Sequence, residues 1–235
     1  MPFTRMGPHW GLARIVVVIV IGTALAALSV VALAAESTRH QLKQVLSATP
    51  APDYGRELFR TCAVCHGNQG SGTPDGSVPA IAGQHFTVIA KQLIDYRHAR
   101  RWDIRMEHMA DQHLLAGSQE IADVASYISE LPAKVAVQFG DGALLARGAS
   151  VFVESCQKCH QPRAEGNAAQ YVPRLAGQHY DYLLRQLYDV VEGRRPNMTG
   201  THRRLVARLD HDQLVGVADY LSRLAPPTPE LQTAR

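Results

Sequence analysis

Two stretches of the chain bring chemistry-bearing residues together at fixed spacing. They are Cys62-Ala63-Val64-Cys65-His66 and, 94 positions later, Cys156-Gln157-Lys158-Cys159-His160. Thiols three positions apart lie about one helical turn from each other, so both reach one edge of a porphyrin and can form thioethers with its two vinyl groups. The histidine that follows then meets the iron as an axial imidazole. A bare pair of cysteines at this spacing also occurs as half a zinc site or as a redox dithiol. The trailing histidine decides against both, as does the recurrence of the whole pattern, once after Phe59 and once after Phe152. Cys62, Cys65, Cys156 and Cys159 are therefore expected to attach two covalently bound haem c groups, with His66 and His160 on the irons. These are all four cysteines of the chain, which leaves none for a disulfide or a thiolate ligand.

The reactivity of such a haem turns on its sixth ligand, because a thioether opposite histidine raises the potential. Beyond Met1 and Met6 the chain has Met106, Met109 and Met198. Met198 lies 12 residues after Gln186 and 22 before Tyr220; Met106 lies 14 after Gln92 and 21 before Tyr127; Met109 lies 17 and 18 from the same two residues. Linear spacing thus favours Met106 and Met198, with core packing as the ordinary role for Met109. The competing donors are His98, His108 and His113 in the first half and His202 and His211 in the second, which would give bis-histidine haem. Pro79 and Pro173 have carbonyls suited to accept the Nδ1 proton of His66 and His160, the bond that orients a ligating imidazole; the alternative is a plain turn proline. Arg100-Arg101 and Arg194-Arg195 recur in equivalent places, and Arg101 and Arg195 are read either as donors to haem propionates or as solvated charges. His85 and His179 also recur, and are expected as helix caps or solvent-facing groups.

The elements that must position these residues are helical. Tyr180, Leu183, Leu184, Leu187, Tyr188 and Val191 follow helical spacing, as do Phe86, Ile89, Ala90 and Leu93. Asp210 stands three before Gln213, a capping-box start for a helix that buries Leu214, Val217, Ala218 and Leu221. Alternating strand patterns are absent. The chain also repeats itself: Val78-Pro79-Ala80-Ile81-Ala82-Gly83-Gln84-His85-Phe86 matches residues 172–180 at the offset of 94 that separates the cysteine motifs, and residues 124–131 match 217–224 at 93. The loops after the two histidines differ, the first rich in glycine and the second holding one. An all-α fold of two tandem haem domains follows, over residues 53–134 and 144–226, joined by a linker at 135–143. Each half is so short that a buried haem must supply much of its core.

Before the first half, residues 1–14 contain Arg5 and Arg14 and no acid, and residues 15–35 run 21 positions without a charge. That is the length a helix needs to cross a bilayer and longer than a usual signal-peptide core. The flanking charges place 1–14 in the cytoplasm. A retained membrane anchor is favoured on length; Ala32-Leu33-Ala34 offers the alternative of a cleaved signal. Either way residues 36–235 are exported, onto the periplasmic face of the inner membrane or into the periplasm. Residues 36–52 are read as a flexible tether and 227–235 as a tail. A net charge of +3 with no clustered basic stripe gives no indication of nucleic acid.

Paired CxxCH motifs, each followed by P-x-[IL]-A-G-Q-H-[FY], a Gln-Leu helix, an Arg-Arg pair, a methionine and A-x-Y-[IL]-S-x-L, resemble the dihaem cytochrome c4 family over residues 53–225. The resemblance implies two packed cytochrome c folds related by a pseudo-twofold, with His66 and Met106 on one iron and His160 and Met198 on the other. It further implies single-electron transfer between respiratory redox proteins, commonly toward a terminal oxidase. The stretch 102–113 departs from the family in holding two methionines and two histidines. The competing function is a dihaem oxidoreductase acting on a sulfur compound or peroxide. Such an enzyme needs an open or exchangeable iron position, and neither a third cysteine in either half nor an acid–base pair beside the motifs supports it.

Overall fold

The computed structural model describes residues 37–134 and 138–226. The expected N-terminus (1–14), apolar segment (15–35) and tail (227–235), and positions 135–137 of the linker, lie outside the described residues. Among the described residues the regular structure is helical, with one isolated bridge between Asn167 and Val172, and no helix is long and apolar enough to cross a membrane.

Residues 37–47 form α1. The expectation of a flexible tether at 36–52 is corrected here: Val45 is fully buried in the core of the first half, with Leu42 and Ala48 packed against it. Leu42, Val45 and Leu46 make a short i, i+3, i+4 stripe that the surrounding polar residues mask. The chain is pinned again where the helix ends, since Asp123 accepts from the Ala51 amide at 2.7 Å.

The first half continues with α2 (Pro52–His66), α3 (Phe86–Arg97), α4 (Ile104–Ala110) and α5 (Ser118–Glu130). Proline in the first turn suits α2, because the amide it lacks would have had no partner there. The helix carrying the cysteines crosses the last helix of its half at a glycine. A Cβ on Gly55 would lie 2.1 Å from the carbonyl oxygen of Asp123, so only glycine lets the two backbones meet. One turn on, the rings of Phe59 and Tyr127 pack with centroids 5.3 Å apart.

The second half repeats this with α6 (Leu145–Val151), a π-helical turn (Phe152–Cys156), α7 (Gln157–His160), α8 (Tyr180–Val191), α9 (Gly200–Val206) and α10 (His211–Arg223). Gly148 meets Gly216 of α10, where a Cβ would fall 1.9 Å from the Gly216 oxygen, and Phe152 packs on Tyr220 at 5.5 Å. The π turn explains a register change in the sequence. Gly55 and Phe59 pair with Gly148 and Phe152 at an offset of 93 while the cysteines pair at 94, and a π turn inserts one residue into a continuous helix. The capping box at Asp210 is formed, with Gln213 N to Asp210 Oδ1 at 2.8 Å and Asp210 N to Gln213 Oε1 at 3.0 Å.

The halves meet in pairs of equivalent bonds. The Gln84 amide side chain donates to Arg174 O and accepts from Arg174 N, at 3.0 and 2.9 Å. Gln178 does the same with Ala80, at 2.7 and 3.0 Å. His85 Nε2 donates to Glu165 O and His179 Nε2 to Ser71 O, both at 2.8 Å. His85 and His179 immediately precede α3 and α8, yet their rings make no cap bond. The expectation of caps or solvent-facing groups fails because each ring's partner is in the other half, which periodicity within one half cannot reveal. Arg174 adds two donations across the same seam, to Gly83 O and Ala82 O, both at 2.6 Å.

Gly148→Ala is expected to cost at least about 1–3 kcal/mol, the range for forcing a methyl into a packed contact. Urea unfolding of the holoprotein checks this, and an unshifted midpoint would show that the α6–α10 crossing is looser than described.

Candidate functional site

The two cysteine–histidine motifs end α2 and α7, and each histidine is pinned from outside its helix. His66 Nδ1 lies 3.0 Å from Pro79 O, and His160 Nδ1 lies 3.0 Å from Pro173 O. A carbonyl only accepts, so Nδ1 carries the proton and Nε2 keeps its lone pair. The two imidazoles are buried, 6% and 7% exposed. Burial holds both below the ordinary histidine pKa, His160 at about 4. At neutral pH they are neutral, the form that binds a metal.

The 12-residue loops between histidine and proline, 67–78 and 161–172, have different sequences and the same backbone path. Gly72 N bonds His66 O and Gly166 N bonds His160 O, each at 2.9 Å, and Ile81 N to Gly70 O is matched by Leu175 N to Ala164 O. Where the first loop uses Gly67 and Gly70 at positive φ, the second uses Gln161 and Ala164. The one glycine the second loop keeps stands where no side chain fits, since a Cβ on Gly166 would lie 2.5 Å from Val172 O.

A cavity of about 360 Å³ opens beside the first motif, within the range of cofactor pockets. Cys62, Cys65 and His66 line one side, Leu93, Met106 and Met109 another, and Arg101 and Arg195 its edge toward the second half. Burial raises the Cys62 and Cys156 thiols to about 11, while Cys65 and Cys159 are exposed. Among the described residues no cluster of three or more His, Cys, Asp or Glu side chains forms a metal-holding group.

Arg101 donates to Gln92 Oε1 at 2.7 Å and, across the seam, to Tyr182 OH and Gln186 Oε1 at 2.6 Å each. Burial first, and Arg101 second, lower Arg195 to about 10; its Nε is buried with no hydrogen-bond partner. Neither guanidinium has an ion-pair partner among the described residues. Arg101 is buried and Arg195 half-buried, whereas Arg100 and Arg194 are exposed and pair with Asp95 and Asp189. A buried Arg101 and a half-buried Arg195, neither ion-paired among the described residues, at the edge of a mostly apolar cavity fit a group that brings its own carboxylates, as haem does with its propionates.

The second half differs. Met198 sits in an apolar cluster with Val190, Val206 and Leu214. The ring facing His160 is that of His202, with centroids 6.3 Å apart and planes at 63°. His202 Nδ1 is buried without a partner. Sequence reading had His202 among the competing donors but ranked it below Met198, because linear spacing does not show where α9 begins.

Two all-α halves, each closing a helix-end CxxCH motif over a histidine bonded to a proline carbonyl, define the class of tandem cytochrome c proteins. The family model described as Cytochrome c matches twice, at residues 52–132 and 145–225. The chain belongs more narrowly to the cytochrome c4 family. It is 31% identical over 174 residues to cytochrome c4 of Thiocapsa roseopersicina, covering 70% of this chain and 87% of that one. The crystal structure of reduced recombinant cytochrome c4 from Pseudomonas stutzeri matches with a TM-score of 0.68 and 28% identity, over 75% of this chain and all of that one. A protein of Stutzerimonas stutzeri named thiosulfate dehydrogenase electron acceptor is 31% identical over 173 residues, covering 69% of this chain and 78% of that one. The chain is a dihaem electron carrier of the cytochrome c4 type, with one covalent haem c in each half.

Proposed function

We propose that this chain relays single electrons outside the cytoplasmic membrane, from a redox-protein donor toward a respiratory acceptor such as a terminal oxidase. Cys62 and Cys65 hold the first haem and Cys156 and Cys159 the second. His66 and His160 are the fifth ligands, oriented by Pro79 and Pro173, and Met106 is the sixth ligand of the first iron. When bound, haem c supplies a one-electron couple. The protein's part is to hold the imidazoles neutral and fixed, to exclude water, and to set Arg101 and Arg195 against the propionates. The observation that carries the reading is the buried, proline-bonded histidine at the end of each CxxCH helix, at 3.0 Å in both halves.

A carrier is favoured over a dihaem oxidoreductase because the first cavity presents methionines where a substrate would need an open iron position. The relative matched in Stutzerimonas stutzeri is named as an acceptor for a dehydrogenase, not as the enzyme. We further propose that residues 15–35 are retained as an anchor, on the strength of their 21-residue uncharged length, which keeps the haem domains at the periplasmic face.

Anaerobic potentiometric titration of the holoprotein is expected to take up two electrons per chain, and one in the Cys62→Ala, Cys65→Ala double variant. Two electrons in the double variant would remove the first motif from haem attachment. Carbonate-washed membranes from cells expressing the full chain should retain the red protein, and its release into the wash would favour a cleaved signal.

A further inference from the structure

We infer that the iron of the second haem takes its sixth ligand from His202 on α9, leaving Met198 as a packing residue, so that the two halves are ligated differently. The inference rests on the dihaem reading and goes beyond it.

Geometry is the first support. Metal–imidazole bonds are about 2 Å long, so two imidazoles on opposite sides of one metal hold their ring centres roughly 6 Å apart. The His160 and His202 centroids are 6.3 Å apart. A 63° angle between planes is compatible with this, since rings trans on one metal are free to rotate about their common axis. His160 Nδ1 is committed to Pro173, which points its other nitrogen away from that carbonyl. On the facing ring the chain leaves Nδ1 buried and unbonded, a cost that a structure does not ordinarily carry without a partner.

Helix register is the second, independent support. Asp103 caps α4, accepting from the Met106 amide, and Thr199 caps α9, accepting from the His202 amide. Met106 and His202 are therefore both the third residue of their helices. Each helix also buries its seventh residue, Ala110 in one and Val206 in the other. The place held by Met106 in the first half is held by His202 in the second, and Met198 falls before the cap, level with Trp102. Linear spacing conceals this because the connections differ: six residues (98–103) precede α4 and eight (192–199) precede α9, whereas seven (111–117) follow α4 and four (207–210) follow α9.

Met198 is accounted for without iron. It packs in the cluster of Val190, Val206 and Leu214, the usual work of a flexible thioether. The consequence for function is directional. Methionine opposite histidine raises a haem's potential relative to two histidines, so the second haem is the lower of the pair and an electron placed there runs downhill to the first.

The test uses the methionine-to-ferric-iron charge-transfer band of the purified holoprotein, read by near-infrared magnetic circular dichroism, with haem content measured on the same samples. The wild type is expected to show half the intensity that two methionine-ligated haems would give. Met198→Ala should leave that intensity and both midpoint potentials unchanged, and His202→Ala should open one of the two ferrous haems to carbon monoxide. Full two-haem intensity in the wild type, or loss of half the band in Met198→Ala, overturns the assignment, as does a His202→Ala protein that takes up no carbon monoxide. Two haems per chain in the wild type keep the dihaem reading separate: it fails only if that count fails.

Discussion

A single hydrogen bond, made twice, organises each half: the Nδ1 proton of a buried histidine on the carbonyl of a proline 13 residues later. It ties the end of the cysteine-bearing helix to the loop that leads into the next one, fixes the ring's tautomer, and leaves Nε2 with its lone pair. The two loops share little sequence, and their backbone bonds coincide because both must bring a proline carbonyl to the same place. Around this point the glycine crossings of α2 with α5 and α6 with α10 hold the helix from behind, and the aromatic pairs Phe59–Tyr127 and Phe152–Tyr220 fill the angle between them.

The seam between halves is the second organising feature. Its bonds come as matched pairs from Gln84 and Gln178, and from His85 and His179, so the duplicated sequence is used twice in one interface. Arg101 breaks the symmetry by reaching Tyr182 and Gln186, and it brings buried positive charge to the edge where the first cavity faces the second half. Charge buried there without an ion pair is costly, and the cost is tolerable when propionates provide the balance. The same contacts join the two halves to each other.

Much of this was legible in the residues. The CxxCH motifs, the helical periodicities, the offset repeat and the capping box at Asp210 are local signals, and local geometry follows from them. What escaped was set by contacts between segments distant in sequence. The segment at 36–52 reads as polar because the buried side chain of Val45 acquires its surroundings only from the packed helices. His85 and His179 look like caps until the other half is in place. Counting along the chain aligns Met198 with Met106, whereas the helix caps align His202 with it, because the connections on either side of α9 differ in length from those around α4. The π turn at 152–156 left a trace in the sequence, the change of offset from 93 to 94, which acquires meaning once the helix is seen to continue through it.

The central claim is that both irons are gripped from two sides by protein, which makes the chain a conduit for electrons and closes it to small molecules. Exposing the fully reduced wild-type holoprotein to carbon monoxide tests this most directly. The account predicts an unchanged visible spectrum for both haems, and stoichiometric uptake of carbon monoxide at either one would contradict it.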